Sequence, residues 1–193
     1  MGSFGNYLEN KCLDHLFGKN TYMSPAIYVA LSTANPAEDG SGMAEPYAQN
    51  GYNRVQTSEN DWDDAVSGLI DNAVNLTFPE ATGDWGTITY FALLDKPFPN
   101  DWAASTAYSV GNFVKPVNEN GYHYECTTAG TSGSSEPTWP TTPGQTVNDG
   151  TAVWTCRKCA GNLLAYGALG TSKTIGSGDT AKFAAGDLNV TLD

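Results

Sequence analysis

The sequence predicts an all-β protein: an antiparallel β-sandwich or jelly roll preceded by one N-terminal amphipathic helix and carrying a small inserted β module. Charged residues make up only 16% of the 193 residues and glycine occurs 21 times, a composition typical of β proteins with many turns. Short runs of β-branched and aromatic residues recur along the chain, separated by Gly-rich turns. Many short strands at this spacing favour a sandwich or a jelly roll over a helical bundle.

One helix is predicted, over residues 6–17. Apolar residues recur there at three- and four-residue spacing and form a wide stripe that includes Cys12, Leu13 and Leu16. Gly18 is placed for a left-handed C-terminal cap. Because so short a helix is unstable alone, we expect the stripe to pack on the chain's own sandwich or on a neighbouring subunit, with Cys12 as a buried thiol.

Six strands of the host domain are predicted from residue type and from the turns that bound them. Each run is apolar or alternating and ends at a Pro- or Gly-containing turn. The predicted strands span Ala26–Leu31, Tyr52–Thr57, Ala73–Phe78, Gly86–Leu94, Asn162–Leu169 and Leu188–Leu192.

An insert is predicted where the composition changes, at residues 97–159. These 63 residues contain eight of the 22 aromatic residues, three of the five tryptophans and three of the four cysteines. Three basic and five acidic residues give them a net charge of −2, so the rest of the chain carries −10 of the total −12. The sequence therefore predicts a discontinuous β-sandwich host domain, residues 1–96 and 160–193, with a small aromatic-rich β module, residues 97–159, inserted in one turn.

The charge and the apolar runs exclude two classes of partner. Nine basic residues against 21 acidic ones leave too little cationic surface for an autonomous nucleic-acid binder. No apolar run approaches the roughly 20 residues of a membrane span, so we expect no membrane association. The N-terminal residues lack a basic stretch followed by an apolar one, so synthesis in the cytoplasm without a secretory signal is expected.

Catalytic patterns are sparse, and we expect neither an enzyme nor a bound cofactor. The sequence contains no Gly-x-Ser-x-Gly elbow, phosphate loop, dinucleotide fingerprint or HExxH motif. The carboxylate pair Glu38-Asp39 lies in a Pro/Gly loop without an apolar pocket. The acidic run 61–64 lacks the ligand order of a calcium loop, so a solvated acidic loop is expected there.

Aromatic side chains of the insert are candidates for sugar binding, because sugar rings stack their apolar faces on exposed aromatic rings. Trp139 and Tyr124 are expected to be exposed, and Trp154 is expected to lie in the core. The alternative is that a module this small needs its aromatics inside. The candidate rings are Trp102, Tyr122, Tyr124, Trp139 and Trp154, and Glu136, Thr127 and Asn120 are the polar candidates.

The cysteines of the insert allow three interpretations. Cys126 and Cys156 lie near the ends of two predicted strands and are disulfide candidates if those strands pair. His123, Cys126, Cys156 and Cys159 have the paired spacing of a zinc site. Residues three apart on a strand point to opposite faces, which argues against zinc and favours no metal. Free thiols are the third possibility.

Four segments resemble a family of small virion proteins of tailed bacteriophages, usually labelled tail-fibre-like or minor structural proteins. The resemblance covers essentially all of residues 1–96 and 160–193 and rests on Gly2–Lys11, Ile27–Ala34, Gly83–Ala92 and Gly161–Leu169, which recur in the same order. The insert is similar to small aromatic chitin- and cellulose-binding modules, on Trp102, Ala107–Gly111, Tyr122–Cys126, Glu136–Pro140 and Val153–Trp154.

The resemblance implies a non-enzymatic structural protein on the virion surface, made in the cytoplasm of a bacterial host. Its implied partners are further copies of itself, phage capsid or tail proteins, and a surface polysaccharide. An oligomeric capsid decoration (cement) protein that displays the insert outward is the preferred placement, because the chain is compact and lacks a fibre-type repeat. The alternatives are a tail-fibre or adhesin component that binds host glycans and a carbohydrate-binding module with no fixed virion position.

Overall fold

The computed structural model describes residues 2–191; Met1, Leu192 and Asp193 lie outside the described residues. Two units divide the chain: unit 1 comprises Met1–Pro97 and Gly161–Asp193, and unit 2 comprises Phe98–Ala160. The expected all-β class with one N-terminal helix is confirmed.

Unit 1 contains one α-helix and nine strands within its described residues, together with two short 3-10 helices, Ala48–Asn50 and Glu59–Asp61. The first part of the chain forms β1 (Gly2–Phe4), α1 (Asn6–Leu16), β2 (Ile27–Ser32), β3 (Val55–Thr57), β4 (Leu69–Asp71), β5 (Leu76–Glu80) and β6 (Gly86–Leu94). In unit 2 the strands are β7 (Asn100–Asp101), β8 (Ala107–Tyr108), β9 (Phe113–Lys115), β10 (His123–Thr128), β11 (Gly130–Thr131), β12 (Thr146–Asp149) and β13 (Ala152–Arg157). The chain then returns to unit 1 as β14 (Leu163–Ile175), β15 (Thr180–Phe183) and β16 (Asn189–Thr191).

Seven strands of unit 1 form one sheet, in the order β3-β2-β6-β14-β1-β16-β4. All its pairings are antiparallel except that of β1 with β16. The central strand β6 buries Phe91 to Leu94 consecutively, because both of its faces are covered there. A two-stranded ribbon of β5 and β15 packs on this sheet through Phe183, whose ring contacts those of Phe78 and Phe91 at centroid distances of 6.3 and 6.1 Å.

The predicted strands of unit 1 match the observed ones best in the middle of the sheet. β6 has the predicted bounds, and β2 begins and ends one residue later than predicted. β14 continues to Ile175, whereas the pattern predicted its end at Leu169. Elsewhere the agreement is partial: Val55–Thr57 is the end of one predicted run, Leu76–Glu80 is shifted along another, and Asn189–Thr191 covers the last, whose Leu192 lies outside the described residues.

The two ends of unit 1 that border unit 2 are fixed by hydrogen bonds within unit 1. Leu94 pairs with Leu163 in the β6–β14 ladder, and the backbone and side-chain amides of Asn162 each donate to the Asp95 carboxylate at 2.7 Å. Arg54 is fully buried, forms two bonds with Glu45 at 2.8 and 2.6 Å, and donates to the carbonyl of Lys96 at 2.7 Å. The insert therefore begins and ends at adjacent positions of the β6–β14 hairpin.

The helix forms as predicted, but its apolar stripe is not buried on the chain's own sheet. Its C-terminal end has a Schellman arrangement in which Gly18 has a φ of +68°, while the amides of Gly18 and Lys19 donate to the carbonyls of His15 and Asp14. No residue of α1 is buried, and Leu16 is 75% exposed. The expectation that Cys12 is a buried thiol is wrong, since Cys12 is exposed.

Unit 2 contains a five-stranded sheet and a two-stranded one. The larger sheet has the order β12-β13-β10-β9-β7, with all pairs antiparallel except β7 with β9, and the smaller pairs β8 with β11. The predicted strands Tyr122–Thr127 and Ala152–Cys156 correspond to β10 and β13, which pair with each other. This pairing places Tyr124, Cys126, Trp154 and Cys156 on one face of the sheet.

Candidate functional site

The aromatic side chains of unit 2 form its core. The buried members of this aromatic cluster are Trp102, Val114, Tyr124, Cys126, Ala152, Trp154 and Cys156, and the partly buried members are Tyr108, Tyr122, Trp139 and Val147. Tyr124 and Cys126 alternate on β10, while Trp154 and Cys156 occupy the opposing positions of β13. A unit of this size has few other apolar side chains, so its aromatic residues supply most of the area removed from water.

One carboxylate orders two of the three indole rings. Asp149 is buried, and its Oδ2 accepts hydrogen bonds from Nε1 of Trp102 at 2.7 Å and from Nε1 of Trp154 at 2.9 Å. Its Oδ1 accepts a third, from the backbone amide of Gly133 at 2.7 Å. These bonds satisfy both buried indole donors and fix the rings relative to the β12–β13 hairpin.

Two of the sugar-binding candidates lie inside the core. Tyr124 was expected to be exposed and is 0% exposed, because strand alternation turns it inward beside Cys126. Its hydroxyl donates to the carbonyl of Pro140 and accepts from Nδ2 of Asn120, both at 2.8 Å, and burial raises its pKa well above the ordinary value. Trp102 is 8% exposed, with its indole N–H bound to Asp149. The expected binding roles of both residues are corrected to structural ones; the expectation for Trp154 as core is met by its complete burial.

Tyr122 is half-buried, and the ammonium group of Lys158 lies over its ring. The Nζ atom of Lys158 lies 4.6 Å from the Tyr122 ring centroid, a cation–π distance, and also reaches the carbonyl of Gly121 at 3.5 Å. The ring edge packs on the aromatic cluster. Tyr122 therefore presents a ring that an ammonium group already occupies, which makes it a poor stacking surface for a sugar.

Trp139 is the candidate ring that keeps an accessible surface. It is half-buried, with one side against Tyr124 at a centroid distance of 4.2 Å and its ring 6.1 Å from that of Trp154. Its Nε1 donates to Oε1 of Glu136 at 2.8 Å, and the same oxygen accepts from the backbone amide of Val117 at 3.0 Å. The structure thus joins Trp139 and Glu136, two of the residues proposed from the sequence, in one ordered group.

The cysteines of unit 2 are free thiols, so the expected Cys126–Cys156 disulfide is wrong. The register explains this: Cys126 lies opposite Trp154, and Cys156 lies opposite Tyr124, so the two sulfurs are on diagonal positions. Diagonal positions are separated by about 7–8 Å, beyond the usual span of a disulfide. Burial raises the pKa of both thiols, which makes them unreactive in the folded chain.

The zinc ligands considered from the sequence are not brought together. His123 occupies the opposite face of β10 from Tyr124 and Cys126, and its ring packs edge-on against Phe98 at 5.2 Å. Within residues 2–191 no group of three or more His, Cys, Asp and Glu side chains converges as a metal site.

Three contributors to the aromatic cluster were not singled out from the sequence: Tyr108, Asp149 and Lys158. The Tyr108 ring lies 4.8 Å from that of Trp154, and its hydroxyl accepts from the amide of Ala103 at 3.1 Å. The available signal was chemical, since buried indole N–H groups require acceptors and acidic residues are few in this segment. The partner that each indole selects depends on the strand register.

Unit 1 contains a cleft of about 570 Å³ on its sheet, beside the start of α1. The acidic run 61–64, interpreted above as a solvated loop, contributes to its rim through Asp63 and Asp64, which are exposed. Asp61 instead closes the 3-10 turn, accepting bonds from the backbone and hydroxyl of Ser58 that lower its pKa.

The comparison with protein families identifies a match. The family model described as podophage GP4 fiber I protein gp80 matches residues 3–98 and 99–191, nearly the whole chain, including the insert. No curated protein matches the sequence. Within the described residues, no helix has the length and apolar character needed to cross a membrane.

Proposed function

The chain belongs to the podophage GP4 fiber I protein gp80 family, a bacteriophage virion structural family, and from that premise we propose that it is a non-enzymatic fibre component whose unit 2 contacts carbohydrate on the host surface. The fibre description of the family supports the tail-fibre placement, which the sequence offered only as the alternative. Capsid decoration rested on compactness and the lack of a repeat, and it has no comparable support.

The fibre placement is tested by the copy number of the protein in purified virions. Quantitative gel analysis against the portal and major capsid proteins separates the two placements, because a tail component is present in proportion to the tail and a decoration protein in proportion to the capsid lattice. We expect tail proportion. Capsid proportion would contradict the fibre placement and restore the decoration protein.

The ordered pair of Trp139 and Glu136 is the observation that supports carbohydrate contact. The ring of Trp139 packs against Tyr124, and its N–H donates to Glu136. The orientation of the ring is therefore set before a ligand binds. Glu136 uses Oε1 for both of its described hydrogen bonds, which leaves Oε2 to accept a sugar hydroxyl beside the ring. A stacking ring with an adjacent acceptor is the minimal chemistry for binding one sugar residue.

Retention on chitin, cellulose and an immobilised bacterial-glycan array tests this contact. We expect the purified chain to bind a polysaccharide in this set, and Trp139→Ala to reduce retention at least about tenfold, a loss of about 1.4 kcal/mol. Because Trp139 is half-buried, this variant should also lose about 1–2 kcal/mol of stability, less than a fully buried tryptophan would cost. Binding is therefore measured well below the melting temperature of both proteins.

Two variants separate recognition from structure. Glu136→Gln keeps an oxygen acceptor for Trp139 and Val117 but removes the negative charge, so it should weaken retention with little change in melting. Val110→Ala, at a position 64% exposed in unit 2, serves as the matched control and should bind as the wild type does. Wild-type retention on no glycan, or retention unchanged in Trp139→Ala, would overturn the sugar contact while leaving the fibre placement to the copy-number result. Release of reducing sugar from a retained polysaccharide would overturn the non-enzymatic proposal.

A further inference from the structure

The cleft of unit 1 has an apolar floor and an acidic rim. Side chains of the sheet and of α1 form the floor, among them Phe4, Leu8, Ile27, Ile70, Leu93 and Val190. Glu59, Asp63 and Asp64 also line the cleft and are exposed, so they form its rim. Within the described residues no Lys, Arg or His lines the cleft. The negative charge of its carboxylates is therefore not balanced by a basic side chain in the cleft. A complementary occupant is apolar and carries a positive charge.

A hydrogen-bond donor in the cleft wall lacks a partner. The hydroxyl of Tyr22, which lines the cleft, is buried and has no hydrogen-bond partner among the described residues. Burial raises the pKa of Tyr22 to about 12, so the hydroxyl keeps its proton at neutral pH. A buried hydroxyl without a partner is unfavourable, and a carbonyl oxygen of an incoming chain could satisfy it once the Tyr22 ring turns toward the cleft.

The same unit exposes a segment with the complementary character, residues 13–19, which we call the arm. Leu13, Leu16 and Phe17 are 54%, 75% and 70% exposed, a concentration of large apolar side chains that a solvated helix end does not require. Lys19 is exposed within the arm and supplies a positive charge beside these side chains.

We propose that the arm of one copy docks into the cleft of a second copy of this chain. Leu16 and Phe17 then cover the apolar floor, Lys19 lies at the acidic rim, and a carbonyl of the arm accepts the Tyr22 hydroxyl bond. Because arm and cleft both belong to unit 1, the two surfaces are present in every copy and the contact can be made reciprocally or in succession. The inference goes beyond the proposed function and does not depend on sugar binding.

The mass of the full chain in solution, measured by sedimentation velocity over a range of concentrations, tests this contact. We expect the wild type to shift with concentration from 20.5 kDa to a multiple of that mass. Phe17→Asp removes apolar area at the contact and should weaken association about ten- to a hundredfold. Since Phe17 is exposed, the variant should fold, and it should melt as the wild type does at concentrations where both are monomeric, because association by itself stabilises the folded chain. Val74→Asp is the matched control on unit 1, at a position 40% exposed that lies outside both the arm and the cleft lining, and should associate normally.

A charge exchange identifies the cleft as the receiving surface. Lys19→Glu and Asp64→Lys, both at exposed positions, should each weaken association, and the double variant should recover most of the loss. A wild type that stays at 20.5 kDa at every concentration would overturn the proposal, as would an oligomer that neither Phe17→Asp nor the charge variants weaken. At concentrations where both proteins are monomeric, a large drop in the melting temperature of Phe17→Asp would show that the arm packs within its own chain and would overturn the proposal as well.

Discussion

The aromatic cluster of unit 2 and the arm of unit 1 each differ from what the sequence predicted, and in opposite directions. The insert was expected to expose Tyr124 and Trp139 for recognition, yet Tyr124 is completely buried and Trp139 is half-buried. The helix was expected to bury an apolar stripe, yet Leu13 and Leu16 are mostly exposed. The same type of side chain is therefore structural in the region that looked like a binding site and accessible in the region that looked like core.

The size of the available core explains the difference. Unit 2 has a five-stranded sheet but few aliphatic residues, so burying its aromatic rings is the main source of its stability. In unit 1 the ribbon of β5 and β15 packs on the seven-stranded sheet through Phe183, while Leu16 near the C-terminal end of α1 stays exposed. Side-chain type and periodicity indicate that a surface is apolar; the amount of surface left to cover decides whether the chain itself buries it.

Truncation of the most buried ring should have the largest effect. Trp154→Ala removes a completely buried side chain that contacts Tyr108 and Trp139 and donates to Asp149. We expect a loss of about 3–5 kcal/mol in the unfolding of unit 2, from lost burial and the cavity left behind. Hydrogen exchange of the β10 and β13 amides measures the stability of unit 2 separately from that of unit 1. Unchanged protection of these amides would show that the cluster is not the core of unit 2.

Asp149→Asn should have an intermediate effect. An amide has one oxygen, whereas the carboxylate uses one oxygen for Gly133 and the other for Trp102 and Trp154. The variant must leave at least one buried donor unpaired, which costs about 1–3 kcal/mol. Urea titration followed by tryptophan fluorescence measures the loss, and Asn148→Asp, on the same strand but not at this carboxylate position, is the control. An equal stability for Asp149→Asn and the wild type would contradict the role given to this carboxylate.

Removal of the insert should have a smaller effect on unit 1. We expect that deleting residues 98–160 and joining the ends with a short Gly/Asn turn leaves β6 and β14 paired through Leu94 and Leu163. Shortening a connection lowers the loop-closure cost, so it gives no reason for unit 1 to lose stability. The melting transition by circular dichroism checks this. Loss of the β-sheet spectrum would show that unit 1 depends on the insert.

The smallest effect is expected for Leu16→Asp in dilute protein. The side chain is largely exposed, so the free energy of unfolding should change by no more than about 0.5 kcal/mol. Thermal melting of this variant beside Trp154→Ala gives the comparison directly. A loss of several kcal/mol would mean that the helix stripe packs on its own sheet, as the periodicity alone predicted.

The elements that follow from local pattern were predictable, and the contacts that depend on register were not. The bounds of β6, the helix from Asn6 and the cap at Gly18 follow from apolar runs, turn residues and the freedom of glycine at positive φ. Tyr124 pairs with Cys156 because of the way β10 and β13 align. This alignment excludes the predicted Cys126–Cys156 disulfide and places Tyr124, a proposed binding residue, in the core. A one-position difference in register changes which side chains are opposite one another, and single residues do not specify it.

Short strands of mixed composition were also missed. β4, β12 and β15 contain three or four residues each and include charged or polar side chains, so their local pattern resembles that of a loop. Each is held by its neighbour in the sheet: β4 by β16, β12 by β13 and β15 by β5. Tertiary pairing therefore decides their conformation.

Native-state thiol labelling tests the contrast between the two regions most directly, because each region carries its own cysteine. Cys12 is exposed on α1, whereas Cys126 and Cys156 are buried in the aromatic cluster with raised pKa values. We predict that iodoacetamide labels Cys12 of the dilute Leu16→Asp chain at the rate of a small free thiol, while Cys126 and Cys156 react only after unfolding, with all four thiols then modified. Fast labelling of Cys126 or Cys156 in the folded chain, protection of Cys12, or fewer than four reactive thiols in denaturant would contradict the account.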